Sequence, residues 1–390
     1  MATTVSITGV AHGGHGVSRI DGQVCFVPYA LPGDTVEVRV VRKARGVLWG
    51  EIERVVEPSP HRCAPCCPYF GACGGCTWLH FAYPGQAEWK QRIVKDALER
   101  IAGVAADVEW VEDEILRLGY RTRAEFHGDA GRLGFYAPES HAVVDIARCP
   151  LCHERLNAIL TRLRETRIEG PVEITVNPEG SDVLIWSKQP LPRIEGLLVA
   201  ADTPRDGAPA RFFFDSVPIV NGTFSQSSLL LNRVLVRTVH DLIGPASRIL
   251  DLYCGNGNLS LGLASPANQE IGVPGSAHIE GLDHNRAAVL AANACGLGTY
   301  RAASEPVFER ALSQSWDVVL LDPPRTGAKA IAAALARCAT DAIVYVSCDP
   351  ATLARDLKTL MAGGWRVARV AVVDLFPHTW HVETVCRLER

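Results

Sequence analysis

No stretch of this 390-residue chain approaches the ~20 consecutive apolar residues that a membrane helix needs, so no membrane span is expected. The opening residues, M-A-T-T-V-S-I-T, lack the basic and apolar regions of a secretory leader, and a cytoplasmic location is expected. There is no global excess of basic charge either. The net charge is −4 and the pI is about 6.3, so a nucleic-acid surface has to be a local patch. Charged residues make up only 21% and hydrophobic residues 47%, which describes a globular chain with room for two or three domains. Cysteine, by contrast, is plentiful at thirteen residues. In a reducing compartment that points to metal binding or catalysis rather than to a disulfide framework.

Residues 1–60 read as short strands divided by Gly and Pro turns. Val36, Val38 and Val40 alternate with polar residues as in a half-buried strand, and Trp49 to Val56 are expected to close a small OB-like β-barrel. Arg39, Arg42, Lys43, Arg45 and Arg54 make it locally basic, which suits either an RNA-binding face or a solvated one. Five cysteines then fall within fourteen residues: Cys63, Cys66, Cys67, Cys73 and Cys76. Cys63, Cys66, Cys73 and Cys76 have the spacing of a zinc site. Cys67, Cys73 and Cys76, with a fourth thiolate from R-C-P-L-C at Cys149 and Cys152, would equally hold a [4Fe–4S] cluster. Spacing alone leaves both metals open.

The central region, to residue 225, reads as mixed α+β. An amphipathic helix is expected over Gln86–Ile101, with Trp89, Ile93, Ala97 and Ile101 inward, and with Lys90, Arg92 and Lys95 on a face that meets phosphate or water. Two strands around a D-A-G turn follow between Tyr120 and Phe135, where Arg121 and Arg123 are candidates to face RNA. Further strands are expected over 171–187 and 211–220.

From residue 226 onward, four β-branched strands each end in a polar motif. R-I-L-D-L-Y-C-G-N-G-N runs from a buried strand into a glycine-rich turn and an expected helix. It is not G-x-G-x-x-G, so a dinucleotide dehydrogenase is a poor fit. The second strand ends at Asp283, placed to accept from ribose hydroxyls or to cap the next helix. The third ends in D-P-P-R, with Asp322 and Arg325, and the fourth in Y-V-S-C-D-P, with Cys348 at the strand tip. F-P-H-T-W-H-V-E-T-V then places Glu383 between β-branched residues.

In this order, C-x5-C-x2-C, F-S-Q, D-L-Y-C-G-N-G-N, D-P-P-R, S-C-D-P-A-T-L-A-R-D and F-P-H-T-W-H-V-E resemble the class I S-adenosylmethionine-dependent RNA (uracil-5-)-methyltransferases, in their iron–sulfur branch acting on 23S rRNA. G-G-H-G-V-S-R-I-D-G and F-V-P-Y-A-L-P-G-D resemble the RNA-binding TRAM barrel. The resemblance implies an α/β Rossmann-like methyltransferase domain at 226–390, a TRAM barrel at 1–60, and an iron–sulfur and RNA-binding region at 61–225. It implies Cys348 as nucleophile and Glu383 as general base. Gln226, Tyr253, Asn258, Asp283 and Asp322 are implied as cofactor contacts, with Asp322 near the methionine part or the uracil edge. Arg325 is implied to orient the uracil or support its enolate, and Cys67, Cys73, Cys76 and Cys149 to ligate the cluster. The implied cofactors are S-adenosylmethionine and a [4Fe–4S] cluster, with zinc as the alternative metal. The implied partner is RNA, bound by a monomer with its target base flipped. Three departures from the family stand in this sequence: Ser228 for Asn, Leu259 for Phe and Asp283 for Glu. Cys254 and Cys386 are expected to be buried and inert. The same chemistry on tRNA, and a non-catalytic RNA-binding platform, are the competing readings.

Overall fold

Alternating valines and glycine turns build the amino-terminal barrel, as the pattern implies. In the computed structural model, which describes residues 2–111, 116–191, 198–199, 209–264 and 277–390, its strands are Thr3–Ser6, Gly9–Val10, Gly16–Ile20, Gln23–Val27, Thr35–Ala44 and Val47–Glu57. The two outer strands of this six-stranded ladder are Thr3–Ser6 and Gly9–Val10, consecutive in the chain, so the sheet closes on itself. Cys25, Val27, Val36 and Val38 fill the interior. The inward alternation stops there: Val40 and Val41 are exposed, where a register shift interrupts pairing with the next strand.

The carboxyl-terminal half forms one large sheet, whose strands are numbered here in chain order: β1 (Arg248–Leu252), β2 (His278–Asp283), β3 (Thr299–Ala302), β4 (Trp316–Leu321), β5 (Thr340–Ser347), β6 (Arg366–Val373) and β7 (Glu383–Glu389). Their spatial order is β3-β2-β1-β4-β5-β7-β6. β1 to β5 are parallel and β7 runs antiparallel between β5 and β6. Both faces are covered, so the strands read as continuous apolar runs: Ile343, Val344, Tyr345 and Val346 are all fully buried.

An eighth strand, Val108–Val111, pairs parallel with β6. It comes from the 61–225 span, as does the helix Tyr83–Ala97, whose Val94 packs in the same apolar cluster as Leu250 and Leu353. Residues 83–111 thus belong with the carboxyl-terminal sheet by packing. The helix also corrects two expectations. It passes into a π-turn at Leu98–Ala102, which turns Leu98 inward and leaves Ile101 exposed. Lys90 meets neither phosphate nor water, because it is fully buried against Asp374 with Nζ–Oδ1 2.7 Å.

The rest of the central region is a second six-stranded sheet and a short hairpin, Arg211–Phe214 with Val217–Val220. The D-A-G turn is present, with Ala130 and Gly131 both at positive φ. Arg121 and Arg123 do not face outward. Arg121 donates to the Gly75 carbonyl, and Arg123 pairs with Glu173 and donates to the Ser225 carbonyl at 2.7 Å.

Candidate active site

The parallel strands β1, β2, β4 and β5 all end at one edge of the sheet, where open α/β folds gather ligands. Because β7 runs the other way, its first residue, Glu383, lies at that same edge. Ser347 of β5 pairs with Thr384 of β7, so the register carried one residue outward sets Cys348 opposite Glu383. The chain then turns sharply: Asp349 caps the helix Pro350–Ala362 by accepting from the Ala351 and Thr352 amides, with Pro350 at the first helical position. The S-C-D-P sequence is therefore a strand end, an edge thiol, a cap and a helix start in succession.

A single cleft at this edge is lined by Cys348, Glu383, Asp322 and Arg325, and also by Gln226, Tyr253, Asn258 and Asp283. Its volume, about 1340 Å³, exceeds the ~300–1,000 Å³ of a typical small-molecule pocket, which leaves room for more than one small ligand. The side chains expected to carry the chemistry come from distant parts of the sequence and meet here.

The cleft is acidic and poorly solvated. Burial, reinforced by Glu383 and Asp322, pushes the Cys348 thiol up to about 11. Burial, then Asp322, raises Glu383 well above the usual carboxylate range. Asp322 is itself pushed up to about 7 by desolvation and by Asp283. Arg325 lowers both Cys348 and Glu383, so it opposes the rise in the two groups.

Asp283 accepts from the Gly255 amide (2.9 Å) and the Asn285 amide (2.7 Å), which fixes its carboxylate while leaving lone pairs for a ligand. The helix after β2 is capped by Asn285, not Asp283, so capping does not account for Asp283. Asn258 is engaged otherwise: its amide pairs reciprocally with Asn232 at 2.7 and 2.9 Å. Tyr253 and Gly255 sit at positive φ, which bends the loop after β1 around the cleft. The α-helix expected after this loop is absent among the described residues; a turn leads instead to a 3-10 helix, Leu261–Ala264. Ser228, which departs from the family pattern, is the cap of the helix Leu229–Ile243 and accepts from the Leu231 amide. Cys254 and Cys386 are both buried.

Three residues in or beside the cleft escaped sequence reasoning. Asp251, the last but one residue of β1, is 1% exposed and neither carboxylate oxygen has a hydrogen-bond partner. Ser260, its nearby hydroxyl, is bonded to Tyr300. Burial pushes Asp251 up to about 8, with Asp322 and Asp283 adding to the rise and the nearby Ser260 hydroxyl opposing it. An acidic residue inside a buried strand was a detectable signal. His381 lines the cleft beside Phe376 and Trp380. His12, from the barrel, stacks edge-on against Trp380 with centroids 4.7 Å apart. No local pattern could have placed His12 there.

Cys67, Cys73, Cys76 and Cys149 surround a separate small cavity of about 20 Å³, together with Arg121. Cys63, Cys66 and Cys152 do not line it; the first two are exposed and the third is buried behind Cys149. Among the described residues, no three metal-binding side chains are gathered tightly enough to hold a metal ion. Four thiols are a soft donor set, the kind that holds an iron–sulfur cluster or zinc. Arg121 is half-buried, with a buried, unpartnered Nε, and supplies positive charge at the wall.

The chain is similar to known proteins along its whole length. Residues 310–390 match the family described as tRNA (Uracil-5-)-methyltransferase, and residues 3–52 match the TRAM domain. A relative from Alkalilimnicola ehrlichii, named 23S rRNA (uracil(1939)-C(5))-methyltransferase RlmD, is 31% identical over 99% of this chain and 96% of its own. A protein of the same name from Pseudomonas entomophila is 33% identical over 97% and 92%. The crystal structure of Pyrococcus abyssi tRNA (uracil-54, C5)-methyltransferase with S-adenosyl-L-homocysteine superposes with a TM-score of 0.75 at 25% identity, covering 99% of both chains. With strand-end motifs, cleft and barrel all accounted for along its full length, this chain belongs to the TRAM-bearing RNA (uracil-5-)-methyltransferases.

Proposed function

We propose that the protein methylates C5 of a uridine in RNA, with S-adenosylmethionine as methyl donor and 23S rRNA as substrate. The observation that carries this is the convergence of Cys348 and Glu383 with Asp251, Asp283 and Asp322 in one cleft with room for both a donor and a flipped base. The orphaned oxygens of Asp251 and the anchored carboxylate of Asp283 fit a donor that carries an ammonium and ribose hydroxyls. When bound, S-adenosylmethionine supplies an electrophilic methyl group and a positive charge. Gln226, Tyr253 and Asn258 line the same cleft, and Asn258 also holds the loop through Asn232.

Uracil C5 is too weak a nucleophile to take a methyl group unaided. Cys348 Sγ adds to C6, and the electron pair of the C5–C6 bond becomes available at C5. The thiol proton passes to solvent at the open mouth of the cleft as the S–C6 bond forms, a loss that Arg325 eases electrostatically. Once C5 carries the methyl group, Glu383 removes the C5 proton, the C5–C6 double bond re-forms, and the S–C6 bond breaks to release Cys348. Glu383 requires its ionised form for this step, and Arg325 favours that form. The protein acts on its RNA in the cytoplasm within this reading.

We also infer that Cys67, Cys73, Cys76 and Cys149 hold a [4Fe–4S] cluster, with Arg121 offsetting its negative charge. The chemistry above consumes no electron, so the cluster's contribution is structural. Ribosomal RNA is preferred over tRNA on the names of the relatives at 31% and 33% identity. The barrel does not decide it, since the tRNA enzyme superposes over 99% of this chain. Incubation with RNA containing 5-fluorouridine tests the chemistry: a base with no removable C5 proton should trap a covalent adduct at Cys348, and a platform protein would give none. Mapping 5-methyluridine in RNA from a deletion strain tests the substrate; loss from tRNA alone would refute the ribosomal assignment.

A further inference from the structure

The loop between β6 and β7, residues 374–382, leads straight into Glu383 and carries His381. It has little regular structure of its own and is held from outside. Lys90 Nζ donates to Asp374 Oδ1 (2.7 Å) and to the Phe376 carbonyl (3.0 Å). Tyr120 Oη donates to the Pro377 carbonyl at 2.9 Å. The His378 amide donates to Gln86 Oε1 (2.8 Å), and the His378 carbonyl accepts from the Trp78 amide (3.0 Å). The Trp380 amide donates to Thr77 Oγ1 at 3.2 Å. His378 is at φ 65°, a conformation a non-glycine residue keeps only where its surroundings dictate it.

Several of these anchors are also neighbours of the cysteine cavity. Thr77 and Trp78 directly follow Cys76. Tyr120 directly precedes Arg121, which lines the cavity and donates to the Gly75 carbonyl at 3.1 Å. The segments Gly75–Trp78 and Tyr120–Arg121 therefore face the thiols on one side and the catalytic loop on the other. A buried interior transmits displacement because it is close-packed.

We propose that the four-cysteine site is the seat of the catalytic loop: its occupant fixes Gly75–Trp78 and Tyr120–Arg121, and Thr77 and Tyr120 are positioning residues that hold Glu383 and His381 in register. This rests on the cluster reading given above and assigns that cluster a specific task. The step it supports is removal of the C5 proton, because Glu383 follows the loop directly, whereas Cys348 is held by β5 and its own capped helix.

Two measurements test it on the full-length protein purified without oxygen, after iron and sulfide have been assayed. The first is hydrogen exchange of residues 374–383 before and after the cluster is stripped with a chelator. Protection of the loop should fall about ten-fold or more, the Trp380 amide included, while β4 and β5 stay protected. The second uses Tyr120→Phe and Thr77→Val, with Thr77→Ser as the conservative control. Both variants should keep the cluster's visible absorbance and the KM for RNA, while kcat falls about ten-fold, the worth of one buried hydrogen bond. Covalent protein–RNA adduct should accumulate on ordinary uridine RNA, because addition proceeds and elimination lags. Thr77→Ser should restore turnover. Absence of iron and sulfide overturns the cluster reading itself. Iron present but loop exchange unchanged on stripping, or both variants at full kcat without adduct, overturns the coupling and leaves the cluster reading intact.

Discussion

Replacing Asp251 by Asn isolates the electrostatics of the cleft. Asp251 is 1% exposed, has only the Ser260 hydroxyl nearby to offset its burial, and has been moved from an ordinary value near 3.8 to about 8. The folded-state value is the higher one, so the group's contribution to stability is complete below about pH 4 and is lost as pH rises towards 8. In that window the native protein holds a proton that the unfolded chain has released, and stability falls by about 1.4 kcal/mol per pH unit. Summed over the window, the ceiling is on the order of 5 kcal/mol. The amide of the Asp251→Asn variant has no such proton to release, so the variant escapes the loss. Thermal unfolding of both proteins from pH 5 to 9 at constant ionic strength should show the variant gaining on wild type with each unit and levelling above pH 8. Binding should move the opposite way. A ligand ammonium meeting Asp251 makes a charge-assisted bond worth ~1.5–3 kcal/mol, so Asp251→Asn should weaken S-adenosylhomocysteine about 10- to 100-fold. Because the ammonium pairs with the ionised form, binding to wild type at pH 7 should release close to one proton, measurable by calorimetry in buffers of different ionisation enthalpy. A pH-independent stability gap together with unchanged affinity would refute the reasoning.

Glu383→Gln should reduce turnover by about 10²–10⁴-fold and leave adduct stalled on ordinary RNA, whereas Cys348→Ser should form no adduct even with 5-fluorouridine; gel-shift assays under denaturing conditions separate the two. Arg325→Gln removes the cation that lowers Cys348 and Glu383, so the acid limb of the pH–rate profile should shift to higher pH, and an unshifted limb would count against its role. Lys90→Met strands a buried carboxylate and should destabilise by about 3–5 kcal/mol, while Lys90→Met with Asp374→Leu should recover most of it in denaturant titration. Gly14 has φ 85°, and a Cβ there would lie 3.0 Å from the Trp380 ring, so Gly14→Ala should loosen the barrel from the catalytic loop, seen as faster proteolysis between residues 58 and 62.

Local pattern was enough for the strand-end motifs. Ile343–Val346 announced a buried strand and Pro350 its end, because each of these effects acts over three or four residues, whereas the cap at Asp349 was found only in the structure. The D-A-G turn and the alternating barrel strands were legible on the same ground. Sequence patterning failed where a side chain's partner lies far along the chain. Lys90, Arg121 and Arg123 looked like solvated or RNA-facing cations, because nothing near them in sequence marks Asp374, the Gly75 carbonyl or Glu173 as partners. The split of the cysteine cluster likewise needed the fold: spacing made Cys63 and Cys66 as plausible as Cys67, and only packing turned Cys67, Cys73, Cys76 and Cys149 towards one cavity.

Which groups could do chemistry was thus written into residue type and spacing. Where they sit relative to one another was decided by topology. An antiparallel β7 returns Glu383 to the edge where β5 ends, and a closed barrel at one end of the chain carries His12 to Trp380 near the other. Short-range preferences set each element, but closure of distant contacts depends on the burial that the whole chain achieves together, and no local window contains that term.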